Sequence, residues 1–275
     1  MRVYLCAVKA PDVLRFKLIV HYDGSAFHGW QYQPTHRTVQ ETLQDALSRL
    51  ADMPRTVVGA GRTDTGVHAT GQVASVDMPA HWNPERLKKS LNAVVADDLW
   101  VESVQAVRSD FHPRFDALSR TYRYDVGLRP EAASPFHRRW CWALCEDLNL
   151  ESLVRAAGAI LGDHSFRAFA KAGQPERGER CTVSHASWTE TDLGVRLTIT
   201  ADRYLHHMVR YLTGTMVDVA RARRSPDDVA ALLANEPGVV TSPPAPAQGL
   251  FLVHVEYPDE VLNVDPHLSR NTAAV

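Results

Sequence analysis

The chain has 275 residues, 45% of them hydrophobic and 23% charged, with a formal net charge of −2. That length holds one large domain or two small ones, and the balance is that of a globular chain rather than a disordered or fibrous one. No apolar run approaches the ~18–20 residues of a membrane span, and no basic flank precedes an apolar secretion core, so a cytoplasmic protein is expected.

Residues 15–22 alternate polar and apolar side chains, as a strand does. Over residues 38–51, Val39, Leu43, Ala46, Leu47 and Leu50 recur at helical spacing, with Thr38 and Glu41 placed as a capping box. Residues 56–60 and 72–76 are short β-rich runs around a glycine-rich loop. Residues 84–95 predict a helix with proline in its first turn, and 100–107 another strand. The second half repeats this order. Strands are expected at 121–126 and 140–144, a helix at 148–161, then a loop through Phe166 and Phe169. A hairpin of 182–190 and 195–201 turns at Asp192-Leu193-Gly194. A helix at 205–222, a short one at 226–233 and a last strand at 250–255 follow, with the proline-rich segment 239–248 as a loop. Two tandem βαββαβ units make an α+β, ferredoxin-like arrangement. The expected division is an N-terminal half at 13–116 carrying the glycine loop and a C-terminal half at 117–260. A cleft is expected between them, and tails at 1–12 and 261–275.

Among the 30 basic residues only Lys9, Lys17, Lys88, Lys89 and Lys171 are lysine. Arginine's planar fork suits phosphates and base edges, although a net charge of −2 is unlike that of a typical nucleic-acid binder. Arg203, Arg210, Arg221, Arg223 and Arg224 crowd one segment with His206 and His207. Cys6, Cys141, Cys145 and Cys181 show no paired spacing, which fits reduced thiols.

The strongest local signal is Gly59 through Gly71, with four glycines around Arg62, Asp64 and His68. It is longer than a plain hairpin turn needs. An aspartate there either closes an Asx-turn on its own backbone or presents a carboxylate to a partner. In the helix at 205–222 the apolar residues share one face, and His207, Arg210, Gly214 and Asp218 share the other. Arg210 is thus either a solvated charge or a cleft residue. Tyr122 and Tyr124 share one strand face, either as core aromatics or as a stacking platform for a base. His206 and His207 are adjacent rather than at i, i+4, so on a helix they do not both face one metal ion.

The run Gly61-Arg62-Thr63-Asp64-Thr65-Gly66-Val67-His68-Ala69 resembles the catalytic signature of the TruA-type tRNA pseudouridine synthases. The resemblance extends over nearly the whole chain. It includes Tyr22-Asp23-Gly24, Phe27-His28-Gly29-Trp30-Gln31, Phe111-His112-Pro113-Arg114-Phe115, Ser119 through Tyr124, Leu161 through Phe166, and His207-Met208-Val209-Arg210. One departure is Asp202-Arg203-Tyr204, where the family usually has Asn, a small residue and Phe. The resemblance implies the pseudouridine synthase fold, a homodimer, no metal or organic cofactor, and uridines of the tRNA anticodon stem-loop as substrate. It implies Asp64 as the catalytic carboxylate, Arg210 as its ion-pair partner, and Tyr122 as a stacking residue and candidate base for the carbon-5 proton. Arg62, His68 and Arg203 become candidate substrate contacts. A pair of RRM-like binding units is a rival reading, but no RNP1 pattern is present. A glycosidase-like hydrolase would need a second acid beside Asp64, and the nearest, Asp77, lies beyond a predicted strand.

Overall fold

The computed structural model describes residues 13–171 and 178–263; the expected tail at 1–12 and most of that at 261–275 lie outside them. The core of the molecule is one mixed sheet with strand order β4-β1-β3-β10-β5-β9-β8-β7. In the N-terminal half, β1 (Val13–Tyr22), β3 (His68–Pro79) and β4 (Leu99–Val107) pair antiparallel around β1, and β2 (Val58–Gly59) pairs β3. In the C-terminal half, β5 (Ser119–Gly127) lies between β10 (Leu250–Glu256) and β9 (Gly194–Ala201), and β8 (Arg180–Thr191) flanks β9. Each half therefore has the fourth-first-third-second order of a βαββαβ unit. The halves join where β10 runs parallel to β3, through Phe251↔His68 and Leu252↔Ala69. Two further strands, β6 (Trp142–Ala143) and β7 (Gly162–Ser165), extend the C-terminal half.

Alternation gives the sheet two faces. Phe16, Leu18, Val20 and Tyr22 of β1, Tyr122, Tyr124 and Val126 of β5, and Val195, Leu197 and Ile199 of β9 are buried on one of them. They share a single apolar cluster with the helices α1 (Val39–Ala51), α2 (Pro84–Val94), α3 (Leu150–Ala159) and α4 (Met208–Ala220). The other face carries Lys17, His21, Arg123, Asp125 and Arg196. A one-sided antiparallel sheet of this kind alternates apolar and polar positions.

The Thr38 cap and the first-turn proline at 84 act as anticipated, and Asn83 adds a cap beyond the expected ones. The Thr38 hydroxyl accepts from the Glu41 amide, and Asn83 caps α2 ahead of Pro84. The helix at 205–222 is shorter than its periodicity predicts. It starts at Met208 because His207 sits in the left-handed region at φ 65°, which no α-helix continues through. The polar face expected for it is also not fully polar, since Gly214 is buried. α5 (Asp228–Leu233) and α6 (Asp259–Leu262) complete the helices. No helix among the described residues is long and apolar enough to cross a membrane.

Candidate active site

The glycine-rich loop is held from below by the segment after β1. Trp30 N donates to Thr63 O at 3.0 Å, and the Tyr22 and Thr63 hydroxyls share a hydrogen bond of 2.8 Å. Gln72 Nε2 donates to Gly61 O at 2.9 Å, and Arg120 Nη2 to Ala60 O at 3.1 Å. Gly29 lies so close beneath that a Cβ there would stand 2.6 Å from Thr63 O, and its φ of 86° admits little but glycine. Asp64 to Val67 form a tight turn closed by Val67 N to Asp64 O at 3.1 Å. Gly66 supplies its third position at φ 78°, the value that a type II turn needs.

Thr63 points inward and is buried, so its neighbours Arg62 and Asp64 face out of the loop. Asp64 does not close an Asx-turn. Its carboxylate crosses the cleft to the start of α4, where Arg210 Nη1 stands 3.5 Å from Oδ2, His207 Nε2 3.3 Å from Oδ2 and His206 Nε2 3.4 Å from Oδ1. The Asp64 and Arg210 side chains are only 21% and 16% exposed. Arg210 is tied down further: its Nε donates to Ala245 O at 2.7 Å, and its own carbonyl accepts from Ala245 N at 2.9 Å. The proline-rich loop at 239–248 is thereby clamped to α4 and forms one wall of the cleft.

Tyr122 lies beneath the glycine loop, buried, its ring edge-on to Tyr204 at 4.9 Å between centroids. Burial pushes its phenol well above the usual tyrosine range, and the negative charge of Asp64 adds to that. At neutral pH it is therefore a proton-bearing phenol with an aromatic face. Tyr204 stands where the family usually has phenylalanine. Its extra hydroxyl is accommodated by the carbonyls of Ile199 and Arg120, at 2.9 and 3.1 Å. Asp202, in place of asparagine, accepts from the amides of Thr182 and Arg203.

Arg62 is exposed at the cleft mouth beside Asp64. Two other candidates sit elsewhere. Arg203 donates to the Arg180 carbonyl on β8 at 3.5 Å. His68 is 1% exposed and accepts from Gly24 N at 3.0 Å, with Asp23 Oδ1 3.2 Å away. Its ring stacks on Phe251 and tilts against Trp140, and Asp23 in turn pairs with Arg139. His68 is thus a latch between the halves, set apart from the Asp64 carboxylate.

That burial has a measurable consequence. Desolvation, the dominant influence, lowers the His68 pKa, and it does the same to His207. An unfolded histidine titrates near ~6.5. Below that pH the unfolded chain takes up protons that the folded chain resists, so stability present above pH ~6.5 is lost as pH falls. The melting temperature is expected to drop between pH 7 and 5. In His68→Gln the drop should be shallower; an identical slope would show that His68 does not titrate this way.

The histidine pair is the feature that sequence reasoning missed. Two adjacent histidines cannot converge on one point from within a helix, but these precede it. The left-handed turn at His207 brings both imidazoles to Asp64. A cavity of about 290 Å3 on the polar face of the sheet is lined by Arg123, Asp125, Arg196, His137 and Trp140, and by none of these site residues.

A one-sided sheet built of two βαββαβ units agrees with the sequence comparison. The family model described as tRNA pseudouridine synthase matches residues 18–116 and 156–258. The class is that of RNA-modifying isomerases. Among curated proteins, "tRNA pseudouridine synthase A" of Moorella thermoacetica is 39% identical over 243 residues, covering 88% of this chain and 98% of that one. Those of Syntrophomonas wolfei and Bacillus subtilis are 37% and 36% identical, each over 246 residues, and cover 90% and 89% of this chain and 98% and 99% of their own. The chain belongs to the tRNA pseudouridine synthase A family.

Proposed function

We propose that this tRNA pseudouridine synthase acts on uridines of the anticodon stem-loop, with Asp64 as the catalytic carboxylate. The observation that carries the reading is Asp64 itself, which projects from a rigid turn onto the tethered guanidinium of Arg210. The reaction detaches uracil from ribose, turns it and rejoins it through carbon 5. Asp64 either attacks the nucleotide covalently or removes a sugar proton. Arg210 holds the carboxylate in direction, Tyr122 offers its ring to the freed uracil, and Arg62 fills the gap left by the extruded nucleotide or grips its phosphate. Flipping costs a few kcal/mol and least in a loop or at a helix end, which favours an anticodon arm as target. The free thiols among the described cysteines, Cys141, Cys145 and Cys181, fit a reducing cytoplasm, where tRNA is found.

Treating unmodified tRNA with the protein and mapping pseudouridine by sequencing tests this directly. Modification confined to other arms of the tRNA would overturn the substrate assignment. The Tyr122 role is tested separately. Tyr122→Phe keeps the ring and should retain turnover within about tenfold. Tyr122→Ala removes a stacking contact worth ~1–3 kcal/mol and should lose far more. Equal losses in the two variants would return the role to the hydroxyl.

We further propose a homodimer in which one tRNA touches both subunits. Support comes from the loop before β6, where Phe136 is 84% exposed and Trp140 39%, next to Arg138 and Arg139. With a net charge of −2 there is little overall field to steer an RNA, and two subunits double the local basic surface. Light scattering should report twice the 30.6 kDa chain mass; a fully active monomer at micromolar concentration would refute it.

A further inference from the structure

We propose that Asp64, His206 and His207 form a binding site for a divalent cation of the zinc type, and that the bound ion shuts the enzyme off by capping Asp64. The inhibitory half rests on Asp64 being the catalytic carboxylate; the binding half does not.

Two imidazole nitrogens and one carboxylate oxygen are a donor set that suits Zn2+, Co2+ or Ni2+ and not the hard, oxygen-seeking Mg2+ or Ca2+. The donor atoms all lie within 4.8 Å of one another. A tetrahedral ion with bonds of ~2.0–2.1 Å holds its ligands ~3.3 Å apart. The separations are 3.4 Å from His206 Nε2 to Oδ1 and 3.3 Å from His207 Nε2 to Oδ2, so a small turn of the Asp64 carboxylate presents one oxygen to both imidazoles. The remaining closure falls to His206, whose side chain is 49% exposed and has room to move. Three protein ligands leave the fourth position open toward the cleft. The convergence comes from the left-handed backbone at His207, φ 65°, an uncommon conformation for a residue other than glycine.

Arg210 opposes the ion. Its guanidinium lies 3.5 Å from Oδ2 and its tether to Ala245 O keeps it there. The ion is therefore expected on the Oδ1 side, in a weak and exchangeable site. Such a site is occupied or emptied by the ambient free metal and needs no metal for folding or turnover.

The test uses the whole protein in two measurements. In the first, Co2+ is titrated in and the visible absorption of low-coordinate cobalt is followed. Wild type should develop the band, and His207→Gln and Asp64→Asn should lose it. In the second, pseudouridine formation is measured in Mg2+ buffer with Zn2+ at fixed free concentration, each variant being compared with its own metal-free rate. Zn2+ should inhibit wild type at micromolar levels, EDTA should restore the rate, and more Mg2+ should change nothing. His206→Gln and His207→Gln should each raise the half-inhibiting concentration roughly tenfold or more, the usual range for loss of a ligand or its support. Absence of the cobalt band, or a band unchanged in both His207→Gln and Asp64→Asn, overturns the site. A cobalt band that depends on Asp64, together with full turnover at saturating Zn2+, overturns the inhibition and the catalytic reading of Asp64, while leaving the metal site standing.

Discussion

Asp64→Asn is expected to lower the single-turnover rate by roughly a thousandfold or more while tRNA affinity changes by less than about threefold, since a catalytic carboxylate acts as a unit with its partners. Asparagine has nearly the same shape and still fits the turn closed by Val67 N and Gly66. What it loses is the negative charge that Arg210, His206 and His207 all face. The prediction separates chemistry from binding, because the RNA contacts proposed for Arg62 and Tyr122 remain. Quench-flow measurement of pseudouridine in parallel with a filter-binding isotherm gives both quantities. Near-normal product from purified Asp64→Asn would remove Asp64 from the mechanism.

Arg210→Ala should cost both rate and stability, and the two losses have different origins. The rate falls by roughly a hundredfold or more, as when a single preorganised charged donor is removed from a reacting site, because the carboxylate loses the one permanent cation that fixes it. Stability falls because the tie from Nε to Ala245 O is lost and the proline-rich loop comes away from α4. Asp64 also remains with an uncompensated charge. Fully buried pairs cost ~3–5 kcal/mol when broken, but side chains 16% and 21% exposed keep some access to water. A loss of about 1–3 kcal/mol is expected here, or several degrees of melting temperature. Arg210→Lys retains the charge without the fork, so it should recover part of the stability and less of the rate. Wild-type melting temperature and rate in Arg210→Ala would end the ion-pair reading.

The order of elements and the tandem halves are legible in the sequence because alternation and caps are local. Thr38, Pro84 and the Asp192-Leu193-Gly194 turn act where their chemistry places them. β3 is longer than its pattern predicts because His68 to Gly71 belong both to the motif and to the strand; pairing with β1 and β10 overrides the low strand preference of glycine. β7, Gly162-Asp163-His164-Ser165, has no β-branched or aromatic residue and exists through edge pairing to β8 alone. Asp64, Arg62 and Arg210 could be singled out from residue type and position. The convergence of His206 and His207 could not. Leu205 and Met208 keep helical spacing across the left-handed turn, so periodicity runs smoothly over the break. His68 stands in the same motif as Asp64, yet one tight turn suffices to carry it out of the cleft and into the seam between the halves, where β3 begins.

That seam sets a problem for the growing chain. β10 is the strand that fills the gap between β3 and β5, and it lies at residues 250–256, far along the chain from both. The N-terminal unit can pair β1, β3 and β4 as soon as residue 107 has left the ribosome, but part of the β3 edge then waits for more than a hundred residues, at translation speeds of ~5–20 residues per second. Over that interval two unpaired edges, of β3 and of β5, stand open to any other extended chain. The last strand thus serves as the closing stave of the sheet, and a product released before it is made is expected to pair its open edges with other chains as well as to lack activity.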